Sequence, residues 1–385
     1  MDQQSNSGSM EGVSLQQSAP RVYVILLNWN GWRDTIECLE SVLRLDYPDY
    51  KVIVCDNASS DGSLEHIRSW ARGELAAQSG NPALAPLVTP PISKPVPFIE
   101  IDPTEVASVV EDKGARLVLI QTGANLGFAG GNNVGLRYAL QKGDSHFAWL
   151  LNNDTVVRPD ALSHLVQRMQ ERPDAGICGS TLLYYDDPAK VQACGGSIYN
   201  KWFARGGHIG KLANAAQLPE AQEVERKMAY VGGASMLVRR AFLEQIGLMD
   251  EQYFLYFEEL DWAARAKGYC KLAYSPLSIV YHKEGSSIGS HRITTRQSLL
   301  AEFYLTRNRV LFTRKHYPLA LFTVLCAICV SAMHRLLNRR GRNFNALIRG
   351  TRQGVTTKRV AVTTPTAPHR APFSPPRAPA LPPRP

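Results

Sequence analysis

Asp154 is the residue around which chemistry can be built. It closes the run FAWLLNND, residues 147–154, in which residues 147–151 read as a short apolar strand. Asn152, Asn153 and Asp154 then carry the chain past the strand's carboxyl end. In an open α/β sheet, ligands collect at that edge. One carboxylate there, helped by phosphate oxygens and water, suits Mg2+ or Mn2+. Such an ion neutralises a departing diphosphate. Upstream, Asn125 to Asn133 (NLGFAGGNN) reads as a glycine-rich turn feeding a helix at 131–140. Its glycines, Gly127, Gly130 and Gly131, permit close backbone approach, and a helix N-terminus favours anions. The G-x-x-G-G spacing is neither a dinucleotide fingerprint nor a P-loop, so a purely structural turn competes with the phosphate reading. Asp56 ends an earlier strand, where a carboxylate can accept hydrogen bonds from a base or a ribose. Glu258 and Glu259 open a helix, a common place for solvated acids. His282 follows a short strand, and a neutral imidazole there can ligate a metal or touch a diphosphate.

The elements that must position these groups alternate along the chain. Residues 22–27 and 51–55 are apolar and rich in β-branched types, so they read as buried strands. Asn28-Trp29-Asn30-Gly31 turns out of the first. Residues 34–45 have helical spacing, with Ile36, Leu39, Val42 and Leu43 on one face. Strand–helix–strand–helix order predicts a parallel sheet. Residues 72–113, with Pro86, Pro90, Pro91, Pro95 and Pro97, read as an insertion made mostly of loop. Strands are expected at 117–121, 176–183, 230–238, 271–274 and 278–281, and helices at 159–171, 240–246 and 257–267.

After Gly289 the character changes. Residues 298–315 read as an arginine-bearing helix. Residues 319–333 are nearly all apolar, short of the roughly 20 that a spanning helix needs. Basic residues flank that run, which suggests a helix lying on an anionic membrane surface; a helix packed on the main domain competes. The division expected is a polar disordered start (1–20), a main domain (21–290), a helical extension (291–354) and a Pro/Arg-rich disordered tail (355–385).

The 385 residues are 44% hydrophobic and 20% charged, ordinary for a globular chain, with a formal net charge of +9. The basic excess gathers after Arg335, where no Asp or Glu occurs. Such a tail can bind nucleic acid or anionic lipid. Seven cysteines show no disulfide framework, and Cys326-x-x-Cys329 lies inside the apolar run, which disfavours a redox pair. The N-terminus carries no apolar signal region, so a cytoplasmic location at the inner membrane face is expected.

Taken together, VILLNWNG (24–31), VIVCDNASSDGS (52–63), NLGFAGGNNVGL (125–136), LLNNDTVVRPDAL (150–162), VGGASMLVRR (231–240), IGLMDEQYFLYFEELDWAARAKG (246–268) and HKEGSS (282–287) appear in an order that resembles the family 2 inverting glycosyltransferases of GT-A fold, especially the rhamnosyltransferase-like branch. YLTRNR (304–309) and IRGTRQG (348–354) are weaker echoes. The resemblance implies an α/β fold with a mixed, mainly parallel sheet flanked by helices. It implies transfer of a sugar from a nucleotide diphosphosugar, dTDP- or UDP-linked, to a glycan or lipid-linked acceptor, with no nucleic acid involved. Asn28, Asn30, Asp56, Asn125, Gly127, Gly131, Asn132 and Asn152 would then line the donor site. Asp154 stands at the last position of the family's D-x-D motif, whose first Asp is Asn here, and becomes the metal ligand with His282. His282, Gly285 and Ser287 match H-x-x-G-x-S. Glu259 takes the position of the general base, one methylene longer than the usual Asp, and Gly233, Glu258, Trp262 and Arg265 fall on the acceptor side. Competing readings are a nucleotidyltransferase of related fold, which should carry an early basic phosphate-gripping signature that NWNG lacks, and a non-catalytic glycan-binding protein.

Overall fold

The computed structural model describes residues 19–102, 114–283 and 298–358. The expected disorder of the first residues and of the tail, and the roles of Gly285 and Ser287, fall wholly or largely outside them.

The first half alternates strands and helices: β1 Val22–Asn28, α1 Trp32–Val42, β2 Tyr50–Asp56, α2 Ser63–Arg72, β3 Phe98–Ile101, β4 Leu117–Gln121, α3 Gly127–Lys142, β5 Phe147–Asn152, β6 Thr155–Val157 and α4 Ala161–Glu171. The second half runs β7 Ala175–Tyr184, β8 Val191–Cys194, β9 Gly196–Asn200, β10 Arg205–His208, α5 Ala221–Lys227, β11 Tyr230–Val231, β12 Ser235–Arg239, α6 Arg240–Ile246, α7 Glu258–Ala266 and β13 Lys271–His282. Three helices follow: α8 Leu299–His316, α9 Leu321–Leu337 and α10 Gly341–Thr356.

The main sheet has the order β3-β4-β2-β1-β5-β12-β7-β13-β6, with β8 paired to β7. Its first five strands are parallel, β12 runs antiparallel between β5 and β7, and β13 is parallel to β7. Both faces are covered, so the strands read as apolar runs instead of alternating with polar residues. Period two still sorts them. Val22, Val24 and Leu26 face a core completed by α1, α2 and α4, including Leu39, Trp70 and Leu165. Tyr23 and Ile25 face the other core, with Leu136 of α3, Phe242 of α6 and Trp262 of α7. This is the mixed, mainly parallel α/β architecture expected.

Several local expectations are corrected. The segment after Arg72 is more than loop, because Phe98–Ile101 forms the parallel edge strand of the sheet. Residues 271–281 form one strand broken by an irregularity between Ser275 and Ile279. The apolar run near 319–333 extends into a helical span, Pro318–Leu337, of 20 residues with mean hydropathy 1.9, long and apolar enough to cross a membrane by length and composition. Only 17% of that window is buried. By contrast α8 is built into the domain, and α10 packs tightly along it. A Cβ on Gly350 would lie 2.6 Å from Phe303 O, and one on Gly354 2.6 Å from Arg307 O.

Two buried glutamates of α1 anchor the proline-rich insertion. Glu37 accepts hydrogen bonds from Tyr185 Oη (2.6 Å) and Gly80 N (3.2 Å). Glu40, fully buried, accepts from Trp70 Nε1 and Ile92 N, both at 2.9 Å, and pairs with Lys94 Nζ at 3.3 Å. Lys94 lies over the Trp70 ring. Burial pushes the Lys94 ammonium down to about 8 although Glu40 opposes the shift. Removing one partner of a buried pair costs roughly 3–5 kcal/mol because the other charge is stranded. Glu40→Ala is therefore expected to lower the melting temperature by about 5 °C or more and to open residues 73–97 to limited proteolysis; unchanged melting and cleavage would remove this anchor from the account.

Candidate active site

The carboxyl ends of β1, β2 and β5 are tied together by side-chain amides. Asn28 is fully buried. Its Nδ2 donates to Asp56 Oδ1 at 2.6 Å and to Ser59 Oγ at 3.1 Å. Its Oδ1 accepts from Thr35 Oγ1 (2.9 Å) and Asn153 Nδ2 (3.3 Å). Asn28 thus spends its side chain on Asp56, Ser59, Thr35 and Asn153, and so positions Asp56. Asp56 is itself 1% exposed and also accepts from Ser59 N and Ser59 Oγ. Asn30, at φ 52°, stands exposed at the rim with its Oδ1 held by Ser60 N at 2.8 Å, next to the part-exposed Trp29.

The glycine-rich stretch is helix, not turn. From Gly127 onward it forms the first turns of α3. Gly131 is there because a Cβ would sit 2.4 Å from Leu27 Cδ1, and at Gly135 one would sit 2.7 Å from Ile25 Cγ2. Glycine lowers helix propensity by up to about 1 kcal/mol each, yet here it lets the helix lie directly on β1. Asn132 is buried and returns its Nδ2 to Phe128 O, so it too serves the helix. The true turn is 122–126, which the buried Asn57 stitches to β2. Its Oδ1 accepts from Leu126 N and Thr122 Oγ1, and its Nδ2 reaches Asn125 Oδ1 and Gly127 O. Gly127 has φ 70°, and a Cβ there would collide with Phe254 O at 2.1 Å.

Asp154 and His282 meet across the end of the sheet. β13 pairs antiparallel with β6, which sets His282 opposite Thr155. His282 Nε2 lies 3.2 Å from Asp154 Oδ1 and 3.2 Å from Asn152 Nδ2. On its far side, Nδ1 lies 2.9 Å from Gln192 Oε1, a contact that orients the ring and favours a lone pair at Nε2. No cluster of three or more His, Cys, Asp or Glu suited to a metal occurs among the described residues. An Asp and a His alone would leave most of a cation's coordination to phosphate and water, a ligand set that suits Mg2+ or Mn2+. The adjoining Lys283 is engaged by Asp34 and Glu37, at 2.5 Å each.

The two glutamates opening α7 sit in a different electrostatic setting. Glu258 is 2% exposed, and its Oε2 has no hydrogen-bond partner among the described residues. Burial, and then the neighbouring Glu259, push its pKa well above the ordinary carboxylate range. Burial also raises Glu259, to about 7, although its own N–H and that of Gly233 pull it back. Gly233 is required by contact: a Cβ there would lie 2.2 Å from Glu259 Oε1. The next residue, Ala234, accepts from Asn152 N at 3.0 Å. The Gly232–Ala234 turn therefore joins the Asp154–His282 end to the raised carboxylate. At that turn the strand expected over 230–238 is broken into β11 and β12.

The other two residues expected on the acceptor side, Trp262 and Arg265, are engaged within the protein. Trp262 is fully buried, donates to Gly247 O at 2.9 Å and packs edge-on against Phe242. Arg265 holds Asp261 Oδ2 and the carbonyls of Ile246 and Leu248. Both are scaffold for α7. Asp261 is buried under His316 Nε2 (2.7 Å) and Lys315 Nζ (2.8 Å) of α8. Burial pushes its pKa up, but His316, Arg265 and Lys315 outweigh that and hold it well below the usual range.

A residue that motif reading missed is Asn308. Its Nδ2 donates to Leu255 O (2.8 Å) and Tyr256 O (2.9 Å). Tyr256 and Phe257 both have left-handed φ, 69° and 77°, so this bend is held against its own strain. Arg307 adds a bond to Gln252 O at 2.7 Å. The signal available was YLTRNR, a polar pair inside a helix otherwise apolar on that face.

A family model described as "Glycosyltransferase like family 2" matches residues 98–298, just over half of the chain. A second, "Glycosyl transferase family 2", matches residues 23–81. The chain is 28% identical over 210 residues to an N-acetylglucosaminyl-diphospho-decaprenol L-rhamnosyltransferase of Mycobacterium tuberculosis, covering 49% of this chain and 65% of that protein. It is 25% identical over 212 residues to the dTDP-rhamnosyl transferase RfbF of Shigella flexneri, covering 54% and 66%. These matches and another curated relative are spanned over only 45% to 66% of their length. Among solved structures, a mannosyltransferase from Pyrobaculum calidifontis in complex with GDP-Man and Mn2+ aligns over 88% of each chain at 16% identity and a TM-score of 0.47. The chain belongs to glycosyltransferase family 2.

Proposed function

We propose that this protein transfers a hexosyl group from a nucleotide diphosphosugar to a hydroxyl of a glycan or lipid-linked acceptor, with inversion at the anomeric carbon. The observation that carries this reading is the Glu259 carboxyl, raised to about 7 and joined through one backbone turn to the Asp154–His282 end. A base with a pKa near the working pH combines availability with driving force. Glu259 takes the proton of the acceptor hydroxyl as that oxygen attacks the anomeric carbon. The bond from that carbon to the diphosphate oxygen breaks, the nucleoside diphosphate departs with the electron pair, and no covalent intermediate forms. A divalent cation held by Asp154 and His282 would supply charge neutralisation for the leaving group. Asp56 and Asn30 stand where the nucleoside would lie. The names of the two rhamnosyltransferase relatives support dTDP-rhamnose as donor and a lipid diphosphate-linked sugar as acceptor. The exposed apolar face of α9, with Phe322, Val330 and Met333 more than half exposed, supports placement on the cytoplasmic face of a membrane.

Purified protein given candidate nucleotide-sugars, cation and acceptor is expected to release a nucleoside diphosphate and form a glycoside; release of pyrophosphate would favour the nucleotidyltransferase reading. Glu259→Gln should lower kcat by about a hundredfold or more while leaving donor affinity intact. In the parent, kcat/KM should fall about tenfold per unit as pH drops below about 7, because the base is lost by protonation. Full turnover by Glu259→Gln would contradict the assignment. For the metal end, Asp154→Asn is expected to abolish the gain in nucleoside diphosphate affinity that Mn2+ confers, measured calorimetrically; a retained gain would move the cation elsewhere.

A further inference from the structure

A cavity of about 1340 Å3 opens on the outer side of α7, between the β9–β10 hairpin and α5. Neither Asp154, Glu259 nor His282 lines it. Its walls carry Lys201, Arg205, Arg226, Lys227, Lys267 and Lys271. The one carboxylate among its lining residues, Glu225, is already held by Arg168 at 2.8 Å and by Arg172. Lys227 is paired with Glu223, but Lys201, Arg205, Arg226 and Lys267 form no ion pair among the described residues. Like charges gathered round one hollow repel one another and draw in a polyanion. The floor is apolar, with Met228, Leu260 and Ala263.

The setting of the mouth narrows the ligand. Trp202 and Tyr317 line the cavity, and Lys201 lies within 6 Å of both ring centres. Tyr317 immediately precedes the apolar span Pro318–Leu337. Thr323 of α9 donates to Trp202 O at 2.5 Å, so the hairpin and the apolar helix share an edge. Trp202, Phe203, Leu319 and Phe322 are all exposed there, at 47%, 51%, 89% and 76%. A ligand seated in the cavity thus has cations round its head and a continuous apolar surface at its exit. A free nucleotide makes no use of that exit. We propose that this cavity binds the phosphate-bearing head group of a lipid, with its hydrocarbon chain leaving past Trp202 onto the exposed face of α9. The inference rests on the membrane placement proposed above and adds the chemical class that is recognised there.

The test uses the full-length protein in EDTA, so that the Asp154–His282 end cannot capture phosphate through a metal. Isothermal titration compares two soluble probes, dihexanoyl phosphatidic acid and farnesyl diphosphate, with dihexanoyl phosphatidylcholine as control. At least one phosphate probe is expected to bind. Its affinity should fall about tenfold or more in Arg205→Gln/Lys267→Gln, both exposed positions, since each cation near an anionic lipid contributes on the order of 1 kcal/mol. Binding of phosphatidic acid assigns the site to membrane head groups, and binding of farnesyl diphosphate alone assigns it to a lipid-linked acceptor; either supports the proposal. Failure of both probes, equal binding by the double variant, or equal binding of phosphatidylcholine overturns it. Membrane placement is read separately. Phe322→Asp should weaken sedimentation with anionic vesicles while keeping probe binding. If Phe322→Asp sediments like the parent, the membrane reading fails and the head-group site is judged on the probes alone.

Discussion

Two adjacent carboxyl groups at the start of α7, Glu258 buried and Glu259 part-buried, with no cation against either among the described residues, set the terms for the rest of this structure. An uncompensated buried acid raises its pKa instead of ionising freely. For Glu258 and Glu259 that shift opposes folding at neutral pH. Their folded-state pKa values exceed the unfolded value, so stability is lost as pH rises from the unfolded carboxylate range through the raised values. Elsewhere on the same helix the opposite arrangement holds. Asp261, one turn along, gathers Arg265, Lys315 and His316 and is depressed. Helix α7 therefore carries an anchored acid and a raised pair, and α8 supplies Lys315 and His316 to the first and the Asn308 amide that fixes the bend before the second. That division lets a destabilised carboxylate persist in a fixed place.

The sheet end around Asp56 and Asp154 follows a different logic. Its amides do not wait for ligand; they are already satisfied by one another. Asn28, Asn153 and Thr35 close a network beside Asp56, and Asn57 separately ties residues 122–127 to β2. Satisfied buried polar networks rigidify, and a rigid floor keeps the Asp56 and Asp154 carboxylates in register with the sheet. Contact between the two ends is made where side chains are absent. Gly127 abuts Phe254 of the bend, and Gly233 abuts Glu259.

Much of this was legible in the chain. Apolar runs such as VYVILL and KVIVC announce strands covered on both faces, and Asp56 and Asp154 stand at or just past strand ends, as the sequence suggests. What misled was residue type read without packing. Glycines 127, 130 and 131 look like a phosphate turn, but they lie in the first turns of α3, where Gly131 is pressed on Leu27 of β1, and nothing local separates the two uses. Trp262 and Arg265 follow the glutamates on the same helix, and both side chains are engaged by backbone carbonyls of residues 246–248. Asn308 was out of reach for another reason: its partners lie more than fifty residues away. The insertion's strand, FIEI, is too short and too near prolines to stand out before β4 is there to pair with it.

The central claim is that burial holds both carboxyls of α7 above the ordinary carboxylate range, with Glu259 at about 7. The direct measurement is a carbon-13 NMR titration of side-chain carboxyls in selectively glutamate-labelled protein, with Glu258→Gln and Glu259→Gln used to assign the two signals. The account predicts that the pair titrates well above the ordinary glutamate range, with the Glu259 signal changing near pH 7. Two carboxyls titrating together near the ordinary glutamate value of about 4.3 would contradict it.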